Sequence, residues 1–213
     1  MHTFTTSQWV PYPVELVFAF FANPNNLPHL TPKWQKARIE DLRLQPPPLR
    51  PLAANPEHRF QSPAAGAGSE LLVSMRLAPG LPMRAGWQLR IAEFAWYDHF
   101  QDELVKGPFA AWRHTHHVVR EEMREEMREA TREKKSTGTQ VGAEADDTSI
   151  AAEAGTDGTR ITDELSYELP LGPLGELAHA IFVRRQIEST FAFRRQRLTE
   201  ILPVAARQAA RRQ

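Results

Sequence analysis

Residues 97–118, YDHFQDELVKGPFAAWRHTHHV, constrain the fold more than any other stretch of the chain. They read as two strands broken at Lys106-Gly107-Pro108, because Pro108 has no N–H for a ladder and Gly107 accepts a positive φ. Strand side chains alternate between faces. Phe100, Asp102 and Leu104 therefore share one face of the first strand, and Trp112, His114, His116 and Val118 share one face of the second. A loop of Gly107, Pro108 and Phe109 pairs Leu104 with Trp112, Asp102 with His114 and Phe100 with His116. A loop one residue shorter opposes His114 to Gln101 and mixes apolar with polar faces. Burial of one face fixes register, so the first pairing is expected. It sets an acid and two imidazoles on an otherwise apolar inner surface, with His117 pointing outward.

The sequences on either side supply more strands. Residues 69–77 alternate with Leu71, Val73, Met75 and Leu77 on one side. After the turn at Ala78-Pro79-Gly80, residues 83–91 alternate again, with Met83, Ala85, Trp87, Leu89 and Ile91 facing one way. Residues 159–169 place Ile161, Asp163, Leu165, Tyr167 and Leu169 inward, so Asp163 is a second inner acid. Residues 2–10 and 36–44 also read as strands. Between them Pro13 opens a short helix carrying Val14, Val17, Phe18 and Phe21 on one face, and residues 25–30 form a second. Residues 175–202 give the longest helical pattern: Leu174, Leu177, Ala178, Ile181 and Phe182, then Phe191, Leu198, Ile201 and Leu202. Val183, Ile187 and Phe193 widen that arc toward a cavity or a partner.

Two segments lack core periodicity. Residues 45–66 hold PPPLRP and further prolines and read as an irregular, partly disordered loop insertion. Residues 121–157 combine the REEM repeat with a Gly/Ala/Thr/Asp-rich tract and read as a charged, helical-to-disordered insertion in a hairpin. Both are expected to be dispensable for folding. Residues 1–203 then form one domain, and 204–213 a basic, fraying tail.

Composition narrows the function. Of 213 residues, 26 are Lys or Arg and 26 are Asp or Glu, so no excess of basic charge points to nucleic acid. There is no cysteine, which excludes a thiol nucleophile and Cys-based metal sites and fits a reducing cytoplasm. No stretch approaches the ~20 apolar residues of a membrane span. The N-terminus lacks the basic start of a secretory signal and is broken by Pro11, Pro13 and Pro24. Phosphate loops and nucleophile elbows are not found.

Strand, two short helices, an antiparallel run and a long C-terminal helix make an α+β chain. Its order resembles the helix-grip fold of the START/birch-allergen-like (SRPBCC) superfamily: a curved sheet of about seven strands around that helix. Three blocks carry the likeness: PYPVELVFAFFANPNNLPHLTP (11–32), DELVKGPFAAWRHTHHV (102–118) and DELSYELPLGPLGELAHAIFVRRQIESTFAFRRQRL (163–198). They are similar to a bacterial subgroup known as polyketide cyclase/dehydrase-like or cell-division-inhibitor-like. The resemblance covers about three quarters of the chain and implies a cavity between sheet and helix for a lipid, polyketide-like or aromatic molecule. It does not fix an activity, since the superfamily spans carriers, receptors, cyclases and chaperone activators.

On this reading Phe100, Trp112, His114, His116, Trp87, Leu89, Asp163, Tyr167 and Phe182 are the ligand-binding candidates. If the protein is an enzyme, His114 held by Asp102 is the acid–base pair of a cyclase or dehydratase. A self-satisfied structural Asp–His network is the competing account of the same residues, because buried charges are costly unless paired. An interaction module with a vestigial pocket is the third. A metal reading would use His114, His116 and an Asp, but two histidines on one strand are a weak signal; no metal or cofactor is assigned. Oligomeric state is left open.

Overall fold

Seven strands form one curved antiparallel sheet in the computed structural model, which describes residues 1–53, 62–80, 82–122, 157–170 and 172–210. The elements are β1 (His2–Val10), α1 (Val14–Ala22), 3₁₀ turns at Pro24–Leu30 and Lys33–Gln35, β2 (Arg38–Arg43), β3 (Glu70–Arg76), β4 (Arg84–Ala95), β5 (His99–Lys106), β6 (Ala111–Glu122) and β7 (Asp157–Glu168). A C-terminal helix follows: α2 (Pro173–Ala178) passes through a π-helical turn (His179–Val183) into α3 (Arg184–Ala210). Strand order is β1-β7-β6-β5-β4-β3-β2. Consecutive strands from β2 to β7 are neighbours, while β1 closes the far edge against β7. The segment holding α1 and the two 3₁₀ turns thus carries the chain from one edge of the sheet to the other. The architecture is a helix grip.

The expected hairpin register holds. Phe100 pairs with His116 and Asp102 with His114; the ladder ends at Glu103 and Arg113, one step short of the expected Leu104–Trp112 pair. Leu104 pairs instead on its other side with Leu89 of β4. Tyr97 lies outside the strand, in a turn where its φ is 62°. The inner face collects Leu71, Val73, Trp87, Leu89, Ile91, Phe100, Val118, Ile161 and Leu165, all buried. Met83, expected inward, lies before β4 and is exposed. Helix α1 is buried along its whole length rather than on one face. Its Glu15 is accommodated by Arg120 of β6 at 2.9 Å, since a buried carboxylate needs a partner.

On α3, Ile187, Phe191, Leu198, Leu202 and Ala206 are buried, a four-and-seven spacing that lays one stripe on the sheet. Burial of each large side chain contributes about 1.5–3 kcal/mol. The stripe continues past Pro203, so residues 204–210, expected in a fraying tail, are helical. The N-terminal part of the helix departs from expectation. Leu174, Leu177 and Ile181 are exposed, and so is much of Phe182. A π turn inserts an extra residue per turn and rotates the face that precedes it, so these positions do not continue the stripe of α3.

The proline-rich segment is not loose where it is described. Trp96 Nε1–H donates to Pro48 O at 2.7 Å, and the Arg50 guanidinium stacks 4.3 Å over the Trp96 ring. Ala65 is buried and its N–H bonds to Ala22 O; Gly66 N–H bonds to Gln45 O, each at 3.0 Å. Gly66 sits against Pro47 so closely that a Cβ would overlap that backbone. The flanks of 45–66 are thus packed rather than loose; residues 54–61 lie outside the described residues.

The second insertion also has adjusted borders. Glu121 and Glu122 are in β6, Asp157 is in β7, and Glu122 pairs with Asp157. The REEM repeat begins at Arg120, and Arg120, Glu121 and Glu122 are strand rather than the expected helix; the rest of it, from 123 on, lies outside the described residues. Because the ladder meets at Glu122 and Asp157, replacing 123–156 with Asn-Gly should leave the sheet intact. Shortening the loop removes closure entropy worth about 2.5 kcal/mol, so the melting temperature should hold or rise. Loss of folded protein in thermal melts of this variant would contradict an insertion.

Candidate functional site

The site is built by three adjacent strands and one helix. His114 and His116 alternate inward from β6; Asp102 faces them from β5 and Asp163 from β7, where it pairs across with His116. His114, His116 and Asp163 are buried, and the Asp102 side chain is 13% exposed. Asp163 is the centre. Its Oδ1 accepts from His116 Nδ1 at 2.7 Å and His114 Nε2 at 3.2 Å, with Arg194 Nη1 of α3 at 3.4 Å. Arg194 Nη2 also lies 3.2 Å from His116 Nδ1, over the face of Phe21.

The expected Asp102–His114 pair is present in register but is not the primary bond. His114 Nδ1 lies 3.5 Å from Asp102 Oδ2, and His116 Nε2 lies 3.4 Å from the same oxygen. Each imidazole thus stands between two carboxylates, one behind and one in front.

The electrostatics follow from these contacts. Burial pushes the Asp163 carboxyl up, but Arg194 and the hydrogen bonds from His114 and His116 outweigh it and hold the group well below the usual carboxylate range. Asp102 is also lowered: burial raises it, and the His116 hydrogen bond with the two nearby imidazoles more than offsets this. His114 is lowered, first by burial and then by His116, against the raising pull of both carboxylates. His114 is thereby a neutral imidazole at neutral pH.

In front of this cluster lies a cavity of about 380 Å³. The sheet contributes Leu71, Trp87, Leu89, Ile91, Phe100 and Trp112, and the helix contributes Phe182, Val183, Ile187, Thr190 and Phe191. Asp102, His114, His116 and Arg194 form its polar wall. Trp87 packs edge-on to Trp112 at 5.2 Å and against Phe109 at 5.3 Å. His116 stacks on Phe100 at 4.4 Å. Trp87 Nε1 and Gln35 Oε1 are buried with no protein partner among the described residues, and both residues line the cavity.

Most sequence-derived candidates are brought together here: Phe100, Trp87, Leu89, Trp112, His114, His116, Phe182 and Asp102 line the cavity. Asp163 and Tyr167 do not. Asp163 is covered by the two imidazoles and Arg194. Tyr167 belongs to a second cluster with Leu165, Ile187 and Phe191, and its hydroxyl bonds His179 Nε2 at 2.8 Å. His117 is on the outer face, beside His99. Sequence reasoning missed Arg194, Gln35, Thr190 and Phe109. Arg194 had a signal: it falls on the buried stripe between Phe191 and Leu198, where a cation implies an opposing acid. Gln35 and Thr190, which bond each other at 3.2 Å, had none.

Residues 10–192 match the family described as polyketide cyclase / dehydrase and lipid transport, and the chain belongs to it. No curated protein matches significantly. Solved structures with a similar fold include norcoclaurine synthase from Thalictrum flavum in complex with dopamine and hydroxybenzaldehyde, at 12% identity and TM-score 0.46 over 93% of this chain and 87% of that one. Ginseng major latex-like protein 151 from Panax ginseng is 13% identical, with TM-score 0.41 over 88% and 95%. The protein TTHA0849 from Thermus thermophilus is 14% identical, with TM-score 0.45 over 98% and 99%. These are likenesses of shape. Among the described residues, no helix is long and apolar enough to cross a membrane.

Asp163→Asn tests the cluster. Breaking a buried ionic set costs about 3–5 kcal/mol, and that loss is expected at pH 7 in denaturant melts. A carboxylate with a depressed folded pKa contributes its stability above its unfolded pKa, ~3.9, and loses it as pH falls toward the folded value. The gap between wild type and variant should therefore narrow below about pH 4. His117→Ala should change stability by less than ~0.5 kcal/mol. Equal losses from both would mean that the inner and outer faces are misassigned.

Proposed function

We propose that the protein binds a small hydrophobic molecule in the cavity between sheet and helix, with a carbonyl or hydroxyl of that molecule anchored at the Asp102/His114/His116 wall. One observation carries this reading. A cavity of about 380 Å³ is apolar on most of its surface and has the charged cluster of Asp102, His114, His116 and Arg194 in its lining. Ligand sites run ~300–1,000 Å³ and combine a greasy lining with a few polar groups that fix orientation. Packing normally leaves few voids larger than a water, so a gap of this size is a feature to be filled. The family description, which includes lipid transport, agrees with a lipid, polyketide-like or aromatic occupant. Trp87 Nε1–H and Gln35 Oε1 add a donor and an acceptor for further polar atoms of the ligand, since a buried unpaired polar group costs roughly 1–3 kcal/mol.

A second reading rests on the state of His114. It is a neutral imidazole on the cavity wall with Asp102 beside it, which is the arrangement of a general base. It would take a proton from a carbon next to the ligand's carbonyl, the opening step of a cyclisation or dehydration. The family description includes both activities.

An environment-sensitive naphthalene sulfonate dye should bind near one per chain and quench tryptophan fluorescence, because Trp87 and Trp112 line the cavity. Val183→Trp places bulk against the cavity and should weaken dye affinity tenfold or more with little change in melting temperature. Unchanged affinity in that variant would place the dye elsewhere and remove the cavity from the account. Exchange of α-protons for deuterium in a bound ketone, lost in His114→Ala, would separate base catalysis from binding alone.

A further inference from the structure

The two imidazoles meet Asp163 with one nitrogen each and leave the other nitrogen facing the cavity. His116 Nδ1 and His114 Nε2 are 2.7 and 3.2 Å from Asp163 Oδ1. The other two nitrogens, His114 Nδ1 and His116 Nε2, both converge on Asp102 Oδ2 at 3.5 and 3.4 Å. Asp102, His114 and His116 can each offer one ligand atom, and those atoms lie within 4.8 Å of one another.

The spacing suits a transition metal. Two ligands each ~2.1 Å from one ion, at a tetrahedral angle, are about 3.4 Å apart. The surroundings suit one too. Metal-bound histidines characteristically donate their second N–H to a carboxylate, which fixes tautomer and ring orientation. Asp163 does this for both rings at once, and Arg194 braces Asp163 from the helix at 3.4 Å. All three ligand residues line the cavity, so further coordination positions open onto it.

We propose that Asp102 Oδ2, His114 Nδ1 and His116 Nε2 bind one divalent first-row transition metal at the cavity wall, with Asp163 and Arg194 as the supporting shell. Two histidines and one carboxylate with open positions suit Zn²⁺, Fe²⁺, Co²⁺ or Ni²⁺ rather than Ca²⁺ or Mg²⁺. Such an ion gives the oxygen of a cavity ligand a direct partner and polarises it as a Lewis acid. The proposal goes beyond hydrophobic binding, and its readouts need no organic ligand.

The test uses the full chain, stripped with a chelator and titrated with Co²⁺ and Zn²⁺. Expected are one Co²⁺ per chain with a visible ligand-field spectrum, and displacement by Zn²⁺. Asp102→Asn should weaken binding by about 100-fold or more, and Asp163→Asn, acting through the rings, by about 10–100-fold. His117→Ala removes the surface imidazole beside His99 and should leave binding unchanged. Imidazole ¹⁵N spectra of the wild type answer without any variant: Zn²⁺ should shift His114 Nδ1 and His116 Nε2 and spare His117. The proposal is overturned if no saturable binding occurs. It is equally overturned if Asp102→Asn binds as tightly as wild type, or if Zn²⁺ shifts only the surface pair His99 and His117.

Discussion

One carboxylate, Asp163, fixes how the sheet and the long helix meet. It takes hydrogen bonds from two histidines on the neighbouring strand and an ionic contact from Arg194 on α3. A buried charge with no partner is far too costly to keep, and a paired one is costly to break, so the helix can seat only where Arg194 reaches the acid. The apolar stripe of α3 supplies most of the burial energy, but sliding a stripe along a greasy sheet changes that energy little. The ion set is directional and chooses one position. Contacts along the helix repeat the choice: Gln186 to Leu77 O at 2.6 Å, and Arg195 to Thr6 Oγ1 at 2.6 Å.

The cavity lies beside this contact. Toward its N-terminal side the helix packs Ile187 and Phe191 on Leu165 and Tyr167 of β7, and Trp87, Trp112 and Phe191 line the adjoining space. The polar wall is therefore both the strut of the fold and the chemical end of the pocket. On the proposed reading, a substitution there should act on stability and on binding together, unlike one in the aliphatic lining.

Much of this was legible in the chain. The Gly107-Pro108 break and strict alternation determined the hairpin register, because an error of one residue would bury charges and expose aromatics. The position of Asp163 among the inward residues of β7 was legible for the same reason. Its centrality was not, since residues 123–156 separate β6 from β7 and hide which residues pair. The exposed run Leu174, Leu177 and Ile181 was read as core because periodicity assumes an unbroken α-helix, and a π turn leaves no trace in a hydrophobic pattern. The docking of 45–53 was illegible for another reason: it depends on Trp96 and Arg50 meeting from opposite sides of a loop, and such contacts have no period.

The central claim is that the space between sheet and helix is a ligand site whose polar end is the His114/His116/Asp102 wall. A crystal structure of the protein soaked with a long-chain ketone carrying a terminal bromine tests it most directly. The account predicts an anomalous bromine peak inside the cavity and the ketone oxygen within contact distance of that wall. A peak outside the cavity, or a ketone oxygen turned toward the aliphatic lining, would contradict it.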